Sequence, residues 1–250
     1  MSGRPPPVSD PVRALAASAW AFRWKVELEA EVRFARLAAR LERLGHAPAL
    51  VEVARRASAD EARHAVHCAR LAAWLGPPVP AAPPPPPPEV APSGLDEEEA
   101  VTYELTAACC VTESESVAVL TALLPEARDP ALRAALRELC EDEVVHARLG
   151  WAWLAVAAAR GRTAFLGAHL PAMLGATADD DLFGPVEPAR EDPALLRLGV
   201  LPHSTKRALF VRSLEEVVFP GLDGAGVDTA AARGWLAARH EAAPLAAPVR

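Results

Sequence analysis

One six-residue phrase, Asp-Glu-x-x-His-Ala, occurs twice in this chain. It reads Asp60-Glu61-Ala62-Arg63-His64-Ala65 and then Asp142-Glu143-Val144-Val145-His146-Ala147. On a helix a spacing of three puts Glu61 beside His64 and Glu143 beside His146 on one face. A carboxylate next to an imidazole is half of a divalent metal site, and oxygen and nitrogen donors of this kind suit iron and manganese, which the sequence does not separate. Two such helices, joined by one further Glu from each of two partner helices, would enclose two divalent ions between four carboxylates and two neutral imidazoles, with the charges balanced. In a chain with 7 His among 250 residues a single Glu-x-x-His is expected about once by chance. Two copies extended to the same six-residue phrase are far harder to obtain by accident.

The flanking residues place both copies in the core. Helical steps through the first give Leu50, Ala54, Ala57, Glu61, His64, Cys68, Leu71 and Leu75; through the second they give Leu132, Leu136, Leu139, Glu143, His146, Gly150 and Trp153. Each Glu-His pair sits in the middle of an apolar stripe. An ionised carboxylate buried there without compensation costs several kcal/mol, and a cation removes that penalty. The plainer alternative is a metal-free bundle with buried ion pairs.

Two more carboxylates fit the same pattern. The stripe Trp20, Trp24, Glu27, Glu31, Phe34, Ala38, Leu41 carries two candidates, Glu27 and Glu31, while Glu29 points elsewhere. A later stripe, Thr106, Cys109, Cys110, Glu113, Val117, Leu120, Leu124, holds Glu113 as a lone acid. Glu104 and Glu115 fall on another face, where solvent or a neighbour would meet them. Glu113 and Glu143 lie at similar distances from the turn near Arg128-Asp129, so an antiparallel helix pair brings them level.

The elements that must position these residues are helices. Ala, Leu, Arg and Glu dominate, and aromatic and β-branched residues are sparse, which predicts an all-α fold. Asp10-Pro11, Asp129-Pro130 and Asp192-Pro193 read as helix starts. The first long helix is expected to end near Leu44-Gly45. The second spans Pro48 to Leu75 and stops at Gly76-Pro77-Pro78. The third opens with a capping box between Ser93 and Asp96 and runs to about Leu124, and the fourth covers 130 to 159. Between the second and third lies a Pro-rich run, 77 to 93. In polyproline II at roughly 3.1 Å per residue it reaches on the order of 50 Å, against about 38 Å for a 25-residue helix, so it can return the chain along the whole bundle. Further helices are expected at 162–174, 204–219 (stopped by Pro220-Gly221) and 228–241, with a loop over 175–191. The organisation expected is thus a disordered tail at 1–9, a four-helix bundle at 10–160 and a helical C-terminal extension at 161–250. That extension would pack over one end of the bundle, form a homodimer contact or shape an opening to the site.

Net charge is −7 with no basic face interleaved with aromatics, which argues against a nucleic-acid partner. No run of 18 uninterrupted apolar residues and no apolar leader at the N-terminus is present, so the expectation is a soluble cytoplasmic protein with no membrane partner. Cys68, Cys109, Cys110 and Cys140 form no Cys-x-x-Cys pair and read as reduced thiols. His169, His203 and His240 are isolated and read as structural or surface residues.

On these residues the chain resembles the ferritin-like di-iron superfamily from about residue 20 to 160, with rubrerythrin-like proteins the nearest pattern. Glu27, Phe34, Gly45 and Glu61-x-x-His64 follow that family's rhythm of Glu, aromatic, helix stop and Glu-x-x-His, which favours Glu27 over Glu31. The resemblance implies a ferritin-like four-helix bundle holding two iron ions, or manganese. Glu61 and Glu143 would bridge them, His64 and His146 would each bind one, and Glu27 and Glu113 would complete the set. It also implies that Asp60 stands behind His146 and Asp142 behind His64, accepting the imidazole N–H. No catalytic residue beyond the metal ligands is indicated. The activity implied is an oxidoreductase using O2 or peroxide on a small-molecule substrate. The alternatives are an iron-storing ferroxidase and a metal-poor structural bundle. Rubrerythrins carry a second iron site on Cys-x-x-Cys pairs; this chain does not, so its electron donor would be separate. The radical tyrosine of the ribonucleotide reductase small subunit has no counterpart, because Cys68 and Gly150 stand at the positions four residues after the histidines.

Overall fold

The computed structural model describes residues 5–178 and 180–242. The regular structure in that range is helical. Of the tail expected at 1–9, residues 1–4 lie outside the described residues; 5–9 lead into the first helix, and Val8 packs on the apolar core. Residues 243–250 of the extension also lie outside.

Helix α1, Asp10–Arg43, has Pro11 in its first turn and is preceded by Ser9 at the N-cap, one residue before the expected Asp10. It ends because Gly45 takes φ 71, which lets the His46 N–H reach back to the Leu41 carbonyl at 3.1 Å. Pro48 then opens α2, Pro48–Leu75, antiparallel to α1. The end of α2 presses on α1 so closely that a Cβ on Gly76 would stand 2.8 Å from the Ala17 Cβ.

The Pro-rich segment runs back beside α1, where Arg36 donates to the carbonyls of Pro87 and Pro88 at 3.2 and 3.3 Å. It delivers the chain to α3, Glu97–Leu123, at the end where α1 finished, since Glu97 pairs there with Arg40 and Arg43. The chain has therefore crossed the length of the bundle. The capping box forms one turn later than expected, between Asp96 and Glu99: the Glu99 N–H donates to Asp96 at 2.8 Å and the Asp96 N–H to Glu99 at 3.1 Å. Helix α4, Pro130–Ala159, starts where the Asp129 side chain accepts the N–H groups of Ala131 and Leu132.

Midway, α3 widens into a π-helical stretch, Thr106–Thr112, that ends immediately before Glu113. Against it lies Gly150 of α4. A Cβ there would be 2.4 Å from the Cys109 Cβ and 3.1 Å from the Cys110 nitrogen, so only glycine permits this approach one turn beyond His146.

The extension comprises α5 (Leu166–Thr177), three short 3-10 turns (Asp180–Phe183, Pro188–Glu191, Pro193–Leu198), α6 (203–224) and α7 (Ala230–Ala242). Two expectations change here. Asp192-Pro193 starts a 3-10 turn rather than an α-helix. Pro220 does not stop α6, because the wider π turn at Leu214–Val218 relieves the collision between the proline ring and the carbonyl four residues back. The extension covers the outer face of α3, where Tyr103, Ala107, Cys110 and Val111 pack with Leu166, Leu170, Phe210 and Leu214. The inner face, with Val101, Leu105, Ala108 and Cys109, packs on Phe34, Leu37, Leu41 and Trp153. Residues 101–111 are consequently buried without a gap. By length and composition α3 is apolar enough to cross a membrane. In this fold that apolarity serves two cores at once. The 193–198 turn crosses the start of α1, where the Trp20 indole donates to the Leu198 carbonyl at 2.9 Å.

Candidate metal centre

Each bundle helix contributes to one buried cluster: Glu27 from α1, Glu61 and His64 from α2, Glu113 from α3, Glu143 and His146 from α4. None of the six is more than 6% exposed. They fall into two four-donor groups, Glu27, Glu61, His64, Glu143 and Glu61, Glu113, Glu143, His146. Within each group the ligand atoms lie within 4.8 Å of one another. Glu61 and Glu143 belong to both. Glu31, the other candidate on α1, stays outside; it is half-buried and its carbonyl accepts the Ser58 hydroxyl at 2.9 Å.

The aspartates that precede the two glutamates cross over. Asp142 Oδ2 stands 3.1 Å from His64 Nε2, and Asp60 Oδ2 stands 3.3 Å from His146 Nε2. An Nε2–H donated to a carboxylate leaves the Nδ1 lone pair free for a cation. Both Nδ1 atoms face the cluster: His64 Nδ1 is 3.2 Å from Glu61, and His146 Nδ1 is 3.1 Å from Glu143. Arg63, inside the first phrase, donates to Asp60 at 2.6 Å and to Asp142 at 2.9 Å, tying the two aspartates together from the outside. The second phrase has Val145 at the matching position, so this clamp exists once.

Sequence reasoning missed Arg23. Its Nε donates to Glu27 Oε1 at 2.7 Å, and its Nη2 donates to Ser116 Oγ at 2.8 Å and Glu143 Oε1 at 3.3 Å. Ser116 in turn donates to Glu143 Oε1 at 3.1 Å. The only available signal was the i, i+4 spacing of Arg23 and Glu27, which reads equally well as an exposed pair. Cys68, one turn past His64, lies with its sulfur 3.9 Å from Glu27 Oε1, and burial pushes its thiol pKa up. Glu104, expected to meet solvent or a neighbour, meets a neighbour: it is fully buried and bonded to Arg40 at 3.0 Å.

The charges in the cluster are unequal. Burial, followed by the neighbouring Glu143, pushes the carboxyls of Glu61 and Glu113 well above the ordinary range. Burial acts the same way on Glu143, but the His146 hydrogen bond and the Arg23 charge outweigh it and hold Glu143 at about 2. For His146 burial works downward, and contacts with Glu143 and Glu61 overcome it, raising the imidazole to about 11. Glu61 Oε1 lies 3.1 Å from His146 Nδ1 without hydrogen-bond geometry and is a buried oxygen with no donor. Four buried acids share too few donors, and Glu61 Oε1 is the oxygen left over. The donor set therefore fits a pair of divalent cations.

Loading must displace the proton on His146, because only the neutral ring ligates. At pH 7, below the value of about 11, that proton is present in the metal-free chain. Metal binding is therefore expected to release at least one proton per chain at pH 7, and its affinity to rise with pH by roughly tenfold per unit for each proton released. Calorimetric titration with Mn(II) in two buffers of different ionisation enthalpy counts those protons. A count of zero would contradict this protonation state.

Bundle, crossover and extension together define an all-α, ferritin-like helical architecture. No family model matches the chain, and no curated protein matches it in sequence. Among solved structures it is similar to "Protein 19 with aldehyde deformylating oxidase activity" from Synechococcus, with a TM-score of 0.54 and 19% identity, covering 92% of this chain and 100% of that one. At that identity the likeness is one of fold.

Proposed function

We propose that this protein is a dimetal-carboxylate oxidoreductase that uses O2 or peroxide to oxidise a small molecule. The observation that carries the reading is the pair of four-donor groups sharing Glu61 and Glu143. In this reading Glu27 and His64 hold one ion, Glu113 and His146 hold the other, and Glu61 and Glu143 bridge. The ions are iron, with manganese the alternative, since the donor set suits both. When bound, such a pair supplies redox-active Lewis-acid centres for O2 chemistry. The chain's own residues do the rest. Asp60 and Asp142 fix the imidazole tautomers, and Arg63 holds the aspartates. Electrons come from a separate donor.

An aldehyde is the first substrate class to test, because the similar solved structure carries aldehyde deformylating oxidase activity. A groove of about 390 Å³ between α3, α4 and α6 is lined by Val117, Val144, Ala147 and Trp151 together with the charged Arg148, Arg212 and Glu216. Its lining includes the chain neighbours of Glu143 and His146, and its apolar walls suit an alkyl or aryl body.

Elemental analysis of the purified chain, before and after anaerobic Fe(II) reconstitution, followed by O2 consumption with and without an aldehyde, tests the proposal. About two metal ions per chain and aldehyde-stimulated O2 uptake are expected. Failure to retain metal after reconstitution would remove the oxidoreductase reading.

A further inference from the structure

The two four-donor groups differ in one respect that their symmetric motifs conceal. Both carboxylates bonded by Arg23, Glu27 and Glu143, belong to the group with His64. In the other group only the shared Glu143 meets the guanidinium, and neither Glu113 nor His146 does. Arg23 keeps its charge, because a guanidinium stays protonated at any pH a protein survives. Arg23 is tethered as well: it sits one turn before Glu27 on α1 and is bonded to Ser116 of α3, with its side chain 22% exposed.

We infer that Arg23 makes the two metal positions unequal, so that the Glu113–His146 position fills first and the Glu27–His64 position fills second and more weakly. The inference rests on the dimetal reading above. An ion entering the second position shares Glu27 and Glu143 with a fixed positive charge, and like charges a few ångströms apart in a poorly solvated site repel strongly. An ion entering the first position meets that charge only through the shared Glu143. Two positions of different affinity can be occupied singly or by two different metals, which a symmetric pair cannot arrange.

The test is anaerobic titration of the full chain with Co(II), read by calorimetry and by the visible absorption of the bound ion. Wild type is expected to bind two equivalents in two steps at least about tenfold apart. Arg23→Met, which removes the charge at similar length, tightens the second step about tenfold or more and leaves the first in place. Arg23→Lys, which keeps the charge, preserves the gap. Glu113→Gln removes the tight step and leaves the weak one, which assigns the positions. Circular dichroism checks that each variant is folded, and Arg23→Gln replaces Arg23→Met if that chain is not. Two equivalents bound in one step by wild type would overturn the inference and leave the dimetal reading intact. So would an unchanged second step in Arg23→Met, or equal shifts in Met and Lys variants. No Co(II) bound by wild type overturns both.

Discussion

Glu61→Gln is expected to abolish paired metal binding and yet give the more stable metal-free chain at pH 8. Glu61 is in both four-donor groups, so one substitution takes a charged oxygen from each position. Its folded carboxyl is held well above the ordinary value by burial and by Glu143. A carboxyl raised in this way favours folding fully below its unfolded value, about 4.3, and loses that contribution as pH climbs through the folded value. Gln, neutral and of the same shape, loses nothing over that range. Without metal the two chains should therefore match near pH 4, and by pH 8 the variant should be ahead by about 1–3 kcal/mol. Metal reverses the order. A ligand present at a hundredfold over its dissociation constant stabilises by about 2.7 kcal/mol, and the variant forgoes that. Urea denaturation of both chains at the two pH values, with and without Mn(II), reads all of it. Wild type remaining the more stable metal-free chain at pH 8 would make Glu61 an ordinary member of a buried ion pair.

The reason for expecting this crossing is that the cluster is built at the expense of the empty fold. Glu143 is held down by His146 and Arg23, so removing it would take one carboxylate from each of two cations. His146 draws Glu61 and Glu113 downward as well, but burial and the neighbouring Glu143 outweigh it and both are pushed up. A bundle that needed only stability would carry apolar residues there.

Much of this was legible because it repeats. The duplicated phrase placed Glu61, His64, Glu143 and His146 on inward faces, and the structure brings them together across α2 and α4. The crossed aspartates came only from resemblance, since nothing in local spacing says that Asp60 serves the other helix's histidine. Glu27 and Glu31 could not be separated by periodicity, because both lie on one stripe; packing of Phe34 beside His146, with ring centroids 5.3 Å apart, goes with Glu27 inside. What stayed hidden depends on contacts distant in sequence. Arg23 looks like any i, i+4 partner until α3 and α4 bring Ser116 and Glu143 to it. The π stretch at Thr106–Thr112 carries no residue signal. For Glu104 periodicity left solvent and a neighbour both open, because its partner Arg40 lies on α1, 64 residues away.

That buried acid sets up the second large effect. Arg40→Met is expected to destabilise the fold by about 3–5 kcal/mol, the cost of stranding one member of a buried pair. Arg40 is 4% exposed and Glu104 0%, and they meet at 3.0 Å. The next cation, on Arg36, is 3.9 Å from the far oxygen of Glu104, which has no hydrogen-bond donor. Arg40 also reaches Glu97 at 2.9 Å, so the same guanidinium fastens the first turn of α3 to the end of α1 just where the crossover arrives. The Glu97 contact is half-exposed and contributes little; the buried one decides the outcome. Adding Glu104→Leu to Arg40→Met should recover most of the loss, because two well-packed apolar side chains replace a buried ion pair nearly without penalty. Chemical denaturation of the two single variants and the double variant gives the coupling directly. Equal losses in single and double variants would mean that Arg40 acts through Glu97 and the start of α3, not through the acid buried between the two cores.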